Sequence, residues 1–194
     1  YRAEAERIGR DDVYEVLSRV PWEAPRTFRE ALQFFRIVHY ALWLEGTYHV
    51  TCGRFDKYMY PYYKADIDAG RLTDEEALDL VTDFFLSFNI DSDLYPGVQQ
   101  GDNGQSMVLG GCDADGNDWF TRLSEICLLA SGKNKLIDPK INMRVSKSTP
   151  ADRFVKGSRL TAVGMGFPQY SNDDGVIPGL EKLGYAHEDA AEYG

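Results

Sequence analysis

A chain of 194 residues and 21.9 kDa with 43% hydrophobic and 13% aromatic residues has ample material for a core, which excludes a disordered class. Its 31 acids against 21 bases give a formal charge of −10 and a pI near 4.8, a surface that repels phosphate backbones. The densest basic run, Lys133, Lys135, Lys140, Arg144 and Lys147, is broken by apolar residues, so no nucleic-acid partner is expected. Cys52, Cys112 and Cys127 form no CxxC pair, which points away from a disulfide scaffold and toward a reducing, cytoplasmic setting. No stretch reaches the ~18 apolar residues of a membrane span and nothing reads as a signal peptide, so no membrane partner is expected either.

Residues 1–20 are charged and helical in pattern, ending at Pro21. Pro25-Arg26-Thr27-Phe28-Arg29-Glu30 then opens a long helix, where Thr27 can cap the first turn and Glu30 can close a capping box. Phe28, Leu32, Phe35, His39 and Leu42 follow at helical spacing, with Ala31, Val38 and Trp43 beside them. A stripe this wide predicts a helix buried over much of its circumference. Gly46 ends it, and an extended piece from Thr47 to Cys52 leads to Gly53-Arg54-Phe55-Asp56 and the aromatic helix Tyr58-Met59-Tyr60-Pro61-Tyr62-Tyr63. Thr73 with Glu76 forms a second capping box, heading a helix through Leu78, Val81, Phe84, Phe85 and Phe88. Residues 91–104, rich in Asp, Gly and Asn, read as a loop.

Beyond it, Met107-Val108-Leu109, bounded by Gly110-Gly111, reads as a buried strand, and Trp119 to Ala130 as a helix. Lys140 to Val145 is a second strand, and Thr149-Pro150 with Asp152 opens another helix, proline being suited to the first helical position. Phe167 to Tyr170 is a third short strand, followed by helices over 174–183 and 187–193. The chain is therefore mainly helical over 1–104 and alternates strand with helix over 105–194, the order of parallel βα units in an α/β sheet or barrel segment.

Several motifs invite chemistry and fail on spacing. Asp113-Ala-Asp115-Gly-Asn117-Asp118 lacks the sixth-position glycine and twelfth-position glutamate of a calcium loop, and reads as a tight turn feeding a helix capped by Asn117 or Asp118. Gly164-Met165-Gly166 lies after a helix and before a strand, the wrong order for cradling a pyrophosphate, so a flavin or nicotinamide barrel is not favoured. His49 and Cys52 have no second pair to complete a zinc site, and no metal is expected. His39 among Phe35 and Trp43 reads as a hydrogen-bonded core histidine, and His187 as a surface residue. Arg54 and Asp56 can form a buried ion pair at a helix start; Arg144 either anchors a carboxylate substrate or pairs with an acid such as Asp174. The residues alone give an acidic α/β domain with buried polar groups and no self-sufficient catalytic constellation.

Five segments, in order, resemble the glycyl radical enzyme family of the pyruvate formate-lyase type. They are Pro21 to Leu32; Gly53-Arg54-Phe55-Asp56 through Tyr63; Gly110-Gly111-Cys112-Asp113 with Gly116-Asn117-Asp118; Pro139 to Val145; and Pro168 to Gly179 with Leu183-Gly184-Tyr185 and Glu188-Asp189-Ala190. The resemblance implies part of a single ten-stranded α/β barrel domain spanning 1–194. It also implies an activity: a glycyl radical oxidises a cysteine inside the barrel, and the thiyl radical takes hydrogen from a small polar substrate, leading to cleavage or elimination. No cofactor is bound directly; a separate S-adenosylmethionine and iron–sulfur activating enzyme installs the radical. A homodimer is implied for the full-length enzyme.

None of the three cysteines matches the family's cysteine loop, which the resemblance puts just past Gly194 with the radical glycine much further on. The chain, which starts at Tyr1 without methionine, is expected to be an internal piece and inactive alone. A barrel cut before closure leaves open strand edges and uncovered apolar faces, and is expected to self-associate or be partly disordered. The dehydratase members carry a His-Ser pair before the Gly-Arg-Phe-Asp motif, where this chain has Tyr48 and His49, a departure that argues against a diol or hydroxyproline dehydratase. A phenol and an imidazole there can orient or deprotonate a substrate hydroxyl or carboxylate. Gln105 and Ser106 at a strand entrance, and Asn172 and Asp173 upstream of the cysteine loop, complete the substrate-binding candidates, helix capping being the other reading of the last two. Arg54, Asp56 and Arg144 are structural polar candidates. The alternative is a non-catalytic split-gene remnant or binding module that kept the barrel wall.

Overall fold

Four strands form one parallel sheet, the inner two built on short apolar runs: β1 (Gly53–Arg54), β2 (Ser106–Gly110), β3 (Lys140–Val145) and β4 (Gln169–Asn172), in the spatial order β1-β2-β3-β4. The computed structural model describes residues 1–45, 49–90 and 104–193. Around the sheet run α1 (Arg2–Arg7), α2 (Asp11–Arg19), α3 (Phe28–Leu44), α4 (Phe55–Tyr58), α5 (Tyr60–Asp68) and α6 (Asp74–Asn89). The second half adds α7 (Arg122–Asn134), α8 (Ala151–Ala162), α9 (Asp173–Lys182) and α10 (His187–Tyr193).

Alternation along β2 and β3 divides the sheet into two unlike faces. Met107 stands beside Ile141 and Leu109 beside Met143, all four fully buried among Phe85, Phe88, Leu123 and Ile126 of α6 and α7. On β4 this face carries Tyr170, which meets α8 so closely that a Cβ on Gly157 would lie 2.5 Å from its hydroxyl and 3.2 Å from the Met143 sulfur. The other face carries Arg54, Ser106, Val108, Lys140, Asn142, Gln169 and Ser171, most of them half-buried or exposed. Parallel sheets are usually covered on both faces, so a polar, open second face is a feature to explain.

Local chemistry decided several boundaries. The helix over residues 1–20 is two helices, because the chain turns at Gly9 with φ 69°. Thr27 accepts from the Glu30 amide as expected, but the Glu30 carboxylate turns to the Arg26 amide at 2.7 Å and its guanidinium at 2.8 Å, so the capping box is not closed. The box of Thr73 with Glu76 is complete. α3 is less covered than its stripe suggests: Phe28, Ala31 and Leu32 are buried, whereas Val38 and Leu42 are exposed. α7 starts at Arg122, three residues after Trp119, because Thr121 and Ser124 form a capping box of their own. Neither Asn117 nor Asp118 caps it: Asp113 accepts from the Asp115 and Asn117 amides to close the turn, and Asp118 faces Arg153. Pro150 is the N-cap of α8 and not its first residue, and β4 lies two residues later than the Phe167–Tyr170 reading. The 91–104 loop reading falls almost wholly outside the described residues.

Candidate functional site

At the carboxyl end of the sheet, β1 and β3 each deliver an arginine from the open face. Arg144 is buried at the end of β3, its Nε donating to Asp173 Oδ1 at 2.8 Å and its Nη2 to the Ala191 carbonyl at 3.1 Å. The acid is thus Asp173, the first residue of α9, and not Asp174, whose carboxylate accepts from the Lys147 amide. The other Asp173 oxygen accepts from the Cys112 amide at 3.0 Å. Arg54 reaches the same helix end: Nη1 donates to the carbonyls of Ala191 (3.0 Å) and Glu192 (3.2 Å), Nη2 to those of Gly110 (3.0 Å) and Cys112 (3.4 Å). Two glycines make the room, since a Cβ on Gly111 would lie 3.0 Å from Arg144 Nε and one on Gly110 3.1 Å from the Arg144 carbonyl.

Arg54 and Asp56 do not form the expected ion pair. Arg54 ends a strand and points along the open face, while Asp56, in the first turn of α4, turns under the sheet, where it accepts from the Gly110 amide at 2.7 Å and from the Ser124 hydroxyl. Burial pushes the Asp56 carboxyl up to about 6, against the lowering by these two hydrogen bonds. Burial also lowers the Arg54 pKa, with the nearby Arg144 charge adding to it. Burial, then the neighbouring Asp173, raise the Cys112 thiol to about 11; Cys52 and Cys127 are raised further by burial, and all three are free thiols.

His49, Gln105 and Ser106 lie at the opposite end of the strands from Asn172. Ser106 pairs in register with Lys140, and Asn172 with Val145 five positions along β3, a separation of roughly 16 Å at ~3.3 Å per residue. His49 is exposed with φ 61° and sits against Gly104, which brings it to the Gln105–Ser106 entrance of β2. Gln105 is fully buried; its Nε2 donates to the Phe88 carbonyl at 3.3 Å and its amide to Asp138, while Oε1 has no partner among the described residues. Ser106 is half-buried on the open face. Tyr48 lies outside the described residues. Asn172 accepts from the Asp174 amide at 3.1 Å and caps α9, which realises the capping reading. The structure therefore gathers His49, Gln105 and Ser106 at one end and Asn172 with Asp173 at the other.

Between the two ends, a cavity of about 540 Å³ opens along the polar face, lined by Thr51, Gly53, Arg54, Lys57, Tyr58 and Val108 with Glu192 and Tyr193. Lys57 pairs with Glu192 across its rim, and the Tyr58 hydroxyl donates to the Cys52 carbonyl at 2.6 Å. His39 is a core histidine as read: its Nε2 meets the Val50 carbonyl at 2.9 Å and its ring stacks on Phe35. His187 is at the surface, linking Glu181 and the Ala114 carbonyl. Among the described residues, no cluster of three or more His, Cys, Asp or Glu could hold a metal, and no helix is long and apolar enough to cross a membrane. The sequence reading missed Ser124, Lys57 and the α10 carbonyls; only Ser124 had a signal, its capping-box spacing from Thr121.

A family model described as pyruvate formate lyase-like matches residues 11–194. The chain belongs to this family. It is 31% identical over 172 residues to the 4-hydroxyphenylacetate decarboxylase glycyl radical subunit of Clostridioides difficile, covering 84% of this chain and 19% of that protein. It is 30% identical over 176 residues to (2S)-3-sulfopropanediol dehydratase of Klebsiella oxytoca, covering 87% of this chain and 21% of that one. A glycyl radical enzyme structure from Archaeoglobus fulgidus superposes with a TM-score of 0.86 at 26% identity, over 99% of this chain and 27% of that one. The fold is thus part of a pyruvate formate-lyase-type α/β barrel, and the chain spans about a fifth of the curated relatives it matches.

Proposed function

We propose that this chain is wall and substrate-facing surface of an anaerobic, cytoplasmic glycyl radical lyase or dehydratase that acts on a small polar organic molecule. The observation that carries the reading is the open sheet face: in-register polar positions (Arg54, Asn142 and Gln169 in one row, Ser106 and Lys140 in another) beside a cavity, on a sheet whose other face is sealed by helices. Such a surface suits a small hydrogen-bonding ligand, with apolar walls that exclude water and a few polar groups that orient it. Tyr48, His49, Gln105 and Ser106 are proposed to contact substrate from the amino end of the strands. Asn172 and Asp173 are proposed to act at one remove, since the first caps α9 and the second is occupied by Arg144. The same holds for Arg54, Asp56 and Arg144, which shape the site.

In this reading the reactive cysteine follows α10 in the full-length polypeptide and the radical glycine lies beyond it; Cys52, Cys112 and Cys127 serve packing, and the chain alone is inactive. An activating enzyme that uses S-adenosylmethionine and an iron–sulfur cluster installs the radical, and the full-length enzyme is a homodimer. A lyase is favoured over formate acetyl transfer. The test is anaerobic treatment of the full-length polypeptide with its activating enzyme, followed by electron paramagnetic resonance. A glycyl doublet with turnover of a small hydroxylated or carboxylated substrate is expected. A doublet or turnover from the 194-residue chain alone overturns the assignment of the chemistry to other residues.

A further inference from the structure

The last carbonyls of a helix have no partner within it and are usually met by a glycine-led turn or by water. At α10 they are met by two guanidiniums from two different strands, which converge on the Ala191 carbonyl at 3.0 and 3.1 Å. Each guanidinium is itself immobilised: Arg54 by the Gly110 and Cys112 carbonyls, Arg144 by Asp173 and by close packing against Gly111. Both residues are buried. Placing two like charges in a buried site is a costly way to hold a helix, and apolar packing of equal volume would serve stability as well. What the forks add is direction: each fixes a plane and two bond vectors, which an ammonium cannot. Glu192, tied to Lys57, and Tyr193 then line the cavity on the open face, so the last described turn of α10 stands at the cavity wall.

From this we infer that Arg54 and Arg144 are positioning residues that aim the chain leaving α10 into the cavity. The inference rests on the proposed function, in which the reactive thiol follows α10. Charge alone would not suffice, because each guanidinium spends separate nitrogens on separate elements.

The decisive variant is Arg54→Lys in the full-length polypeptide, which keeps the cation and loses the fork. The expected result is radical yield and KM within about twofold of wild type, with kcat lowered about 100-fold, the loss that a misplacement of ~1 Å produces. Hydrogen exchange at amides 190–193 is expected to accelerate while the α6 and α7 amides stay protected. An unchanged kcat, or radical yield and kcat falling together with general loss of protection, overturns the inference. If Arg54→Lys is insoluble, Arg144→Lys, which likewise keeps the cation and loses the fork on Ala191 and Asp173, carries the same measurements, and an unchanged kcat there is equally fatal. A wild-type protein that takes up no radical overturns the functional reading instead. The clamp is then judged by exchange alone, and unchanged protection at 190–193 in the variant overturns it.

Discussion

On the helix side of the sheet, Met107, Leu109, Ile141 and Met143 are buried among aromatic and aliphatic side chains of α6 and α7, whereas at its carboxyl end α9 and α10 dock through a small apolar cluster of Cys112, Ile177, Ala190 and Ala191 with Leu180, beside a buried polar network. The first region is stabilised by area removed from water, which is non-directional and tolerant of exchange between apolar residues of like volume. The second is held by hydrogen bonds and charges whose worth depends on every partner being present. At the carboxyl end, geometry is specified by directional contacts and little by apolar burial.

The comparison can be broken from either side. Phe88→Ala, which empties a fully buried position, is expected to cost about 3–5 kcal/mol in urea unfolding with little change in slope. A loss under 1 kcal/mol would mean that the helix side is not the principal core.

Arg144→Ala leaves Asp173 charged and buried without its cation, also for about 3–5 kcal/mol. A double-mutant cycle with Asp173→Ala should show coupling above ~1 kcal/mol. Additive losses would show that the pair is only a packing contact.

Asp56 sharpens the contrast through pH. Its folded pKa of about 6 lies above the ordinary 3.8, so the folded state keeps a proton that the unfolded chain has released. The associated stability is full below about pH 3.8 and lost as pH rises through about 6, roughly 3 kcal/mol at ~1.36 kcal/mol per pH unit. Other carboxylates move the opposite way, including Glu30 beside Arg26 and Asp74 beside Tyr63. The measurement is therefore the difference between wild type and Asp56→Asn from pH 4 to 8, and a flat difference rules out a raised Asp56.

The smallest effect is expected at glycine. Gly110→Ala, with φ 70° and a Cβ 3.1 Å from the Arg144 carbonyl, should exceed the ~1–2 kcal/mol of left-handed strain. Gly70→Ala, with φ 66° and open space, should show the strain alone. Equal losses would mean that the close approach at Gly110 carries no energy.

Much of the architecture was legible in the residues because it rests on local rules. Thr73 with Glu76, the apolar run at Met107–Leu109 and the βα alternation after residue 105 are each set by neighbours in sequence. His39 was readable as a core histidine because its helical face announced its surroundings. Errors fell where two local rules competed, as at Glu30, whose carboxylate chose the Arg26 amide over that of Thr27. The site was legible only as a set of residue types. Arg54, Asp56 and Arg144 stood out as charges in apolar settings, but their partners did not, because Arg54 and Asp56 are two residues apart and face different layers.

By itself, then, the sequence determined most of the secondary structure, the family resemblance and the burial of Arg54, Asp56 and Arg144, since hydrophobic period, capping and turn chemistry act over a few residues. The tertiary structure alone decided which charge meets which partner, that Asp173 and not Asp174 holds Arg144, and that two arginines share one carbonyl at the end of α10. Those contacts join positions 47 and 137 residues apart, and a backbone carbonyl, present at every residue, leaves no mark in the sequence to say which one a guanidinium will find.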